Sequence, residues 1–411
     1  MLNEEKDKDI EKVLILQGGG SLGAFGCGVY KSIVKQGFIM DIIAGTSIGG
    51  INAAIIAGSK DEDNAAQKLE EFWIELSEGF IPIKDFNERN LEYIEKFYKN
   101  LLLPLPLTDT MSDLQTQKHQ QKVKYDQIQS FSSSAVFGNS KFFMPRWLVY
   151  DEPLDSGIFN PAKWTYIYDH RPLIRILEKY VDYEKLNPHS NNKTRVILTA
   201  VNVVNARPLV FDSHHMQIKP KHILATSAYP LYNFPYVEVE KGVYAWDGGL
   251  LSNTPLREVL DASPIKNKKI FLVENYPKKI NHLPGNLGEV HHRARDIIFS
   301  DKTEHSIKMS EIITRYLDFI EDLYQIVNNN KDRIQLEDKV VKKINRKYKK
   351  YRQDHGAQIK EIFYISRDEE FPHIYENADF SPKTIFGSIK EGEEKAYKVI
   401  ESHRTKIKQR P

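Results

Sequence analysis

The chain has 411 residues, room for one large domain or two ordinary ones, and its 41% hydrophobic content supports a sizeable core. A net charge of +2 with 28% charged residues gives no electrostatic case for a nucleic-acid partner. The single cysteine, Cys27, excludes an internal disulfide and fits a reducing compartment; its glycine-rich, apolar setting reads as a small packed residue.

The tail over residues 1–10 is charged and lacks the apolar core of a secretory signal, and no run nears the ~20 apolar residues that span a bilayer. The expectation is a soluble, cytoplasmic protein. Val13–Leu16 reads as a first strand, and the loop Gly18-Gly19-Gly20-Ser21-Leu22-Gly23 leads into a helix over Ala24–Lys35 that stops near Gly37. Ile39–Ala44 is a buried strand, followed by Gly45-Thr46-Ser47-Ile48-Gly49 and an apolar helix over Gly50–Ala57 that Gly58 can end. Strand, loop, helix, strand, turn, helix is an α/β unit with a parallel sheet covered by helices.

Helical spacing continues over Leu69–Leu76, and then the character changes. From about 80 to 187 the chain carries a proline-broken Leu101–Leu107, a polar Gln115–Gln129 and an aromatic, turn-rich Phe137–Arg146, which read as an insertion or lid. Pro172–Tyr180 is helical. The α/β pattern resumes with a strand at Arg195–Val203, a hairpin arm at Pro208–Phe211, a helix at His222–Ala228, a strand at Val243–Asp247 and a last sheet strand at Lys269–Val273. Beyond about 276 the chain is helical and charged: Ile307–Val327 is a long amphipathic helix, and Val340–Arg352 is strongly basic.

Ser47 sits where a strand turns sharply into a helix between two glycines, the arrangement of a nucleophile elbow. Gly45, Thr46, Ile48 and Gly49 support that turn, and the helix N-terminus favours developing negative charge. The Gly18–Gly23 loop offers successive backbone N–H groups to one concavity, the second half of an acyl-transfer site. Gly18, Gly20 and Gly23 also satisfy a dinucleotide-binding G-x-G-x-x-G. That reading wants an acidic residue at the end of the second strand, whereas Asp41 stands near its start and leaves Ser47 unexplained. Asp247, after an apolar strand and before Gly248-Gly249, is the outstanding candidate base, and burial beside Trp246 and Tyr244 is expected to raise its pKa. His282, His291, His292 and His305 follow in polar or helical contexts and read as surface residues.

These motifs, in this order, resemble those of the patatin-like phospholipases, together with Ala225–Pro230 and Asp247–Leu256; the resemblance covers roughly residues 11–275. Phe137–Arg146, Tyr168–Leu177 and Asp379-Phe380-Ser381 are further similar to a bacterial subgroup with a C-terminal extension. The resemblance implies a three-layer α/β/α sandwich with a mainly parallel central sheet, an acyl hydrolase domain at 11–275 and a helical, basic extension at 276–411. It also implies a Ser–Asp dyad without histidine: Ser47 as nucleophile, Asp247 as general base and Gly18–Gly23 (Gly18, Gly19, Gly20, Ser21, Leu22 and Gly23) as oxyanion hole, with no cofactor and no metal. Leu22 departs from the arginine that many members carry, so the hole would rest on backbone N–H groups alone. The expected substrate is a lipid ester, phospholipid or lysophospholipid, reached through transient contact with a membrane surface. The aromatic stretch Phe131–Trp147 would form an apolar mouth, and the basic run at 342–352 would meet anionic headgroups. An α/β-hydrolase with a Ser–Asp–His triad and a non-catalytic lipid-binding protein remain as alternatives.

Overall fold

The computed structural model describes residues 10–79, 134, 137–146, 164–280, 283–285, 287–330, 333, 337–355, 357–368 and 376–408. The 1–9 tail, Leu101–Leu107, Gln115–Gln129 and His282 fall outside the described residues. In chain order β1 (Ile10–Leu16), α1 (Gly23–Lys35), β2 (Ile42–Thr46), α2 (Ile48–Ala57) and α3 (Ala65–Glu78) are followed by the short antiparallel pair β3 (Met144–Pro145) and β4 (Tyr168–Asp169). Then come α4 (Pro172–Tyr180), β5 (Arg195–Asn202), β6 (Pro208–Asp212), α5 (Pro220–Thr226), β7 (Val237–Glu240), β8 (Val243–Asp247), α6 (Leu256–Ala262) and β9 (Asn267–Glu274). The C-terminal region supplies α7 (Leu287–Asn329), α8 (Asp338–His355), β10 (Ile359–Ser366) and α9 (Pro382–Lys408).

The main sheet runs β10-β9-β1-β2-β5-β8-β7, with β6 also on β5. The first four pairings are parallel, and β6, β7 and β8 add antiparallel. The inner strands read as unbroken apolar runs because both faces are covered. Leu14, Leu16, Ile43, Phe271 and Val273 join a core with α1, α2 and α3, while Val13, Ile15, Ile42, Ala44, Ile270 and Leu272 face α6 and Ile307 of α7. The fold is therefore an α/β/α sandwich, and α2, every residue of which is buried, lies within it.

The C-terminal region is woven into this sandwich. β10 forms the parallel edge strand next to β9, and Ile385, Ile389, Ala396 and Ile400 of α9 enter the same core as Phe25, Val29 and Ile33 of α1. Sequence reading ended the sheet at Lys269–Val273; β10 escaped it because its short apolar run is interrupted by Lys360 and Glu361, as suits an edge. The aromatic stretch is also corrected where it is described. Phe142 and Phe143 pack into the main core, Phe143 edge-on to Tyr168, Phe234 and Phe380, so they do not line an open mouth.

One pairing detail positions the site. Thr199 of β5 pairs with Thr46 of β2 and Val210 of β6, whereas the next residue, Ala200, pairs with Asp247 of β8 and Leu209 of β6. A strand has two edges, so β2 and β8 share the edge of β5 that β6 does not occupy. They approach from opposite directions, and the C-terminal ends of both strands meet there.

Candidate active site

Ser47 is the N-cap of α2, with φ 57° and ψ −129°, a backbone conformation that costs of order 1–3 kcal/mol for a residue with a side chain. The surroundings hold it in place. Its N–H donates to Thr226 Oγ1 (3.1 Å), the Thr226 hydroxyl donates to the Thr199 carbonyl (2.7 Å), and its own carbonyl accepts from Gly50 N–H (2.9 Å). The glycine C-terminal to the serine is required by close approach: a Cβ on Gly49 would lie 2.1 Å from the Leu16 carbonyl oxygen. The sharp strand-to-helix turn read from the sequence is present.

Asp247 arrives at the same place from β8. Its carboxyl is hydrogen-bonded to the Ser47 side chain, and Oδ1 accepts from Gly249 N–H at 2.7 Å. The residue is 1% exposed, and that burial raises its pKa from 3.8 to about 7 against the opposing pull of the Ser47 and Gly249 hydrogen bonds. Burial is the expected cause, but the neighbours differ from those expected. Strand alternation puts Trp246 and Tyr244 on the other face, half-buried, while Asp247 shares its face with buried Ala245. Among the described residues no imidazole is one of the groups acting on Asp247.

The glycine loop lies beside this pair. A Cβ on Gly18 would fall 2.9 Å from Ser47 Cβ and 2.4 Å from Asn253 Oδ1, so the loop backbone runs directly against the serine. The turn's own hydrogen bonds begin at Leu22, whose N–H donates to the Gly19 carbonyl at 3.2 Å, and the amides before it stand outside that set. The rest of the loop faces elsewhere. Ser21 Oγ donates to the Glu376 carbonyl at 2.7 Å, Leu22 packs with Tyr276 and Phe299, and Gly23 lies against Ile48 and Trp73.

Behind the loop sits a buried charged cluster that the sequence did not disclose. The Glu376 carboxylate pairs with Arg367 (2.6 Å), Arg295 (3.4 Å) and His292 (3.5 Å), and His292 also meets Asp296 (3.2 Å). Burial works against the charge on Glu376, but Arg367, His292 and Arg295 hold its carboxyl well below the usual range. Asn377 extends the cluster, its Nδ2 donating to the Tyr232 hydroxyl at 2.7 Å. His292, expected at the surface, is buried here. The i, i+3, i+4 spacing of His292, Arg295 and Asp296 was legible, but their partner Glu376 lies beyond a further helix and strand. Thr226, Thr199 and Asn253 were likewise missed as supports. Thr226 and Asn253 stand in the stretches Ala225–Pro230 and Asp247–Leu256 that carried the family resemblance, which was their one available signal.

Two further features are chemically quiet. Cys27 is buried, which pushes its thiol up, as expected of a packed residue. A cleft of about 740 Å³ between α3 and α4 is lined by Glu75, Lys141, Asp169 and Arg171 among others, and neither Ser47 nor Asp247 reaches it. Its carboxylates are already engaged, Glu75 by Lys141, Lys179 and Tyr180, and Asp169 by Arg171.

A family model described as patatin-like phospholipase matches residues 14–260, from the first strand to the helix beyond Asp247. The chain belongs to the patatin-like phospholipase family. Among solved structures, this patatin-like chain is similar to VipD from Legionella pneumophila at 14% identity and TM-score 0.37, over 96% of this chain and 67% of that one. It is also similar to the type III effector protein ExoU at 10% identity and TM-score 0.33, over 96% of this chain and 53% of that one. A second ExoU structure, in complex with SpcU from the type III secretion system of Pseudomonas aeruginosa, shares 17% identity with TM-score 0.24, over 69% of this chain and 47% of that one. Comparison with curated proteins returns no match. Patatin-like membership supports a lipid acyl hydrolase, and among the described residues no helix is long and apolar enough to cross a membrane.

Proposed function

We propose that the protein hydrolyses the acyl ester of a phospholipid or lysophospholipid with Ser47 as nucleophile and Asp247 as general base. The reading is carried by one observation: the ends of β2 and β8 meet on one edge of β5, which puts the Ser47 side chain in hydrogen-bond contact with a buried carboxyl. Asp247 takes the proton of Ser47 Oγ as that oxygen attacks the ester carbonyl carbon. The oxyanion collects against the backbone amides of the Gly18–Gly20 turn and the N-terminus of α2. Collapse expels the lipid alcohol, which leaves with the proton from Asp247. Water then gives its proton to the same carboxylate, attacks the acyl-enzyme and releases the fatty acid, and Ser47 regains its hydrogen.

A carboxyl poised near 7 suits both steps, because a general base works best with a pKa near the working pH. Ser–Asp–His chemistry would need an imidazole on Asp247, whose acting partners among the described residues are Ser47 and the Gly249 amide. With Leu22 packed against Tyr276 and Phe299, oxyanion stabilisation rests on main-chain donors. The basic helix α8, exposed at Lys342, Lys343, Arg346, Lys347, Lys349 and Lys350, is the proposed contact with anionic headgroups in the cytoplasmic leaflet.

The test is hydrolysis of a lipid panel, read by mass spectrometry, with wild type and Ser47→Ala, alongside labelling by a fluorophosphonate probe. Release of fatty acid by wild type and loss of both signals in the variant is the expected result. Equal turnover by the variant would sink the assignment. Co-sedimentation with phosphatidylserine vesicles across a salt series tests the role of α8, and binding indifferent to anionic lipid would remove it.

A further inference from the structure

Helix α7 carries two stripes on opposite sides between Ile307 and Val327. On the inner side Ile307 and Leu317 are buried, and Tyr324 stacks on Tyr348 of α8 with ring centroids 3.7 Å apart. On the outer side stand Met309, Ile312, Tyr316, Phe319, Leu323 and Ile326, all between 42 and 65% exposed. The sequence spends more large apolar side chains on the open stripe than on the packed one. Their steps of three, four, three, four and three residues average close to 3.5, the repeat that keeps a seam facing another helix.

We propose that this stripe joins two copies of the chain, with the two α7 helices packed antiparallel. Reversing the helix about the point between Tyr316 and Phe319 matches the stripe with itself. Met309 falls on Ile326 of the second copy, Ile312 on Leu323 and Tyr316 on Phe319, and each layer is repeated by the two-fold axis. The flanks agree with that register. Arg315 and Asp322 lie one heptad apart on the same margin, and antiparallel pairing sets each beside its opposite charge across the interface, twice. Ile313 and Ile320, on the other margin, meet in the same reciprocal way. A parallel pair would instead lay Arg315 against Ile320 and Asp322 against Val327. A uniform anionic bilayer would repel exposed Asp322, whereas a reversed second copy pairs it with Arg315.

Sedimentation of the full-length protein across a micromolar concentration series tests the proposal, which stands apart from the catalytic reading. A dimer is expected for wild type, with at least a 100-fold weaker Kd for Phe319→Glu and unchanged circular dichroism. Arg315→Glu should weaken association about tenfold, and adding Asp322→Arg should restore it. Because the native cysteine is buried, introduced cysteines report cleanly. Met309→Cys mixed with Ile326→Cys should cross-link between copies under mild oxidation, while each alone should not. Wild type remaining monomeric overturns the proposal, as does cross-linking of Met309→Cys with itself. So would a monomer whose binding to phosphatidylserine vesicles is lost in Phe319→Glu.

Discussion

Replacing Asp247 by Asn should inactivate the enzyme and make the protein more stable. Burial raises the carboxyl from 3.8 to about 7, a shift of about three units, worth ~4 kcal/mol between the two protonation states. Between about pH 4 and pH 7 the folded protein holds a proton that the unfolded chain has released, so stability falls as pH rises through this window. Above about 7 the native state carries the buried charge and the whole ~4 kcal/mol weighs against folding; below about 4 the penalty is absent. Asn removes the charge, and its side-chain carbonyl can still accept from Gly249 N–H. Denaturation of wild type and Asp247→Asn at about pH 5.5 and pH 8.5 should show a gain for the variant that is larger at the higher pH by ~2 kcal/mol. The same group predicts the wild-type rate profile. Ester hydrolysis should rise tenfold per pH unit up to about 7 and then level, a loss of about 100-fold between pH 8 and pH 5. A variant less stable at pH 8.5, or a gain independent of pH, would refute the assignment of burial as the dominant cause.

Ser47→Ala should lose ester hydrolysis and fluorophosphonate labelling, and Ser47→Gly should lose both while melting higher, by roughly 1 kcal/mol of relieved backbone strain. Gly49→Ala forces a methyl 2.1 Å from the Leu16 carbonyl, so it should unfold at lower denaturant or fail to accumulate folded, checked by circular dichroism and soluble yield. Glu376→Gln leaves Arg295 and Arg367 without their buried carboxylate. A loss of about 3–5 kcal/mol by denaturant titration is expected, with the glycine loop loosened through Ser21 and hydrolysis reduced. A wild-type denaturation midpoint for Glu376→Gln would show that the cluster does not brace the loop.

The elements that carry local patterns were legible in the amino-acid order. Val13–Leu16, Ile39–Ala44 and Arg195–Val203 are apolar runs of strand length bounded by breakers, and the glycines around Ser47 announce a turn no other residue tolerates. The helix at Pro172–Tyr180 and the hairpin arm at Pro208–Phe211 were readable for the same reason, since each depends on neighbours within a few residues. Phe142 and Phe143 were misplaced because turn-rich, aromatic sequence looks the same whether it opens on solvent or fills a core.

What the chain alone determined is which residue types stand at which turns: a serine at one strand end and an aspartate at another. Their meeting was decided by β5, whose single free edge accepts β2 from one direction and β8 from the other, a consequence of hydrogen-bond pairing between segments far apart in sequence. The apolar strand before Asp247 pointed to a raised pKa, but how far it rises, like the burial of His292, was decided at this level, because desolvation depends on everything packed around a group.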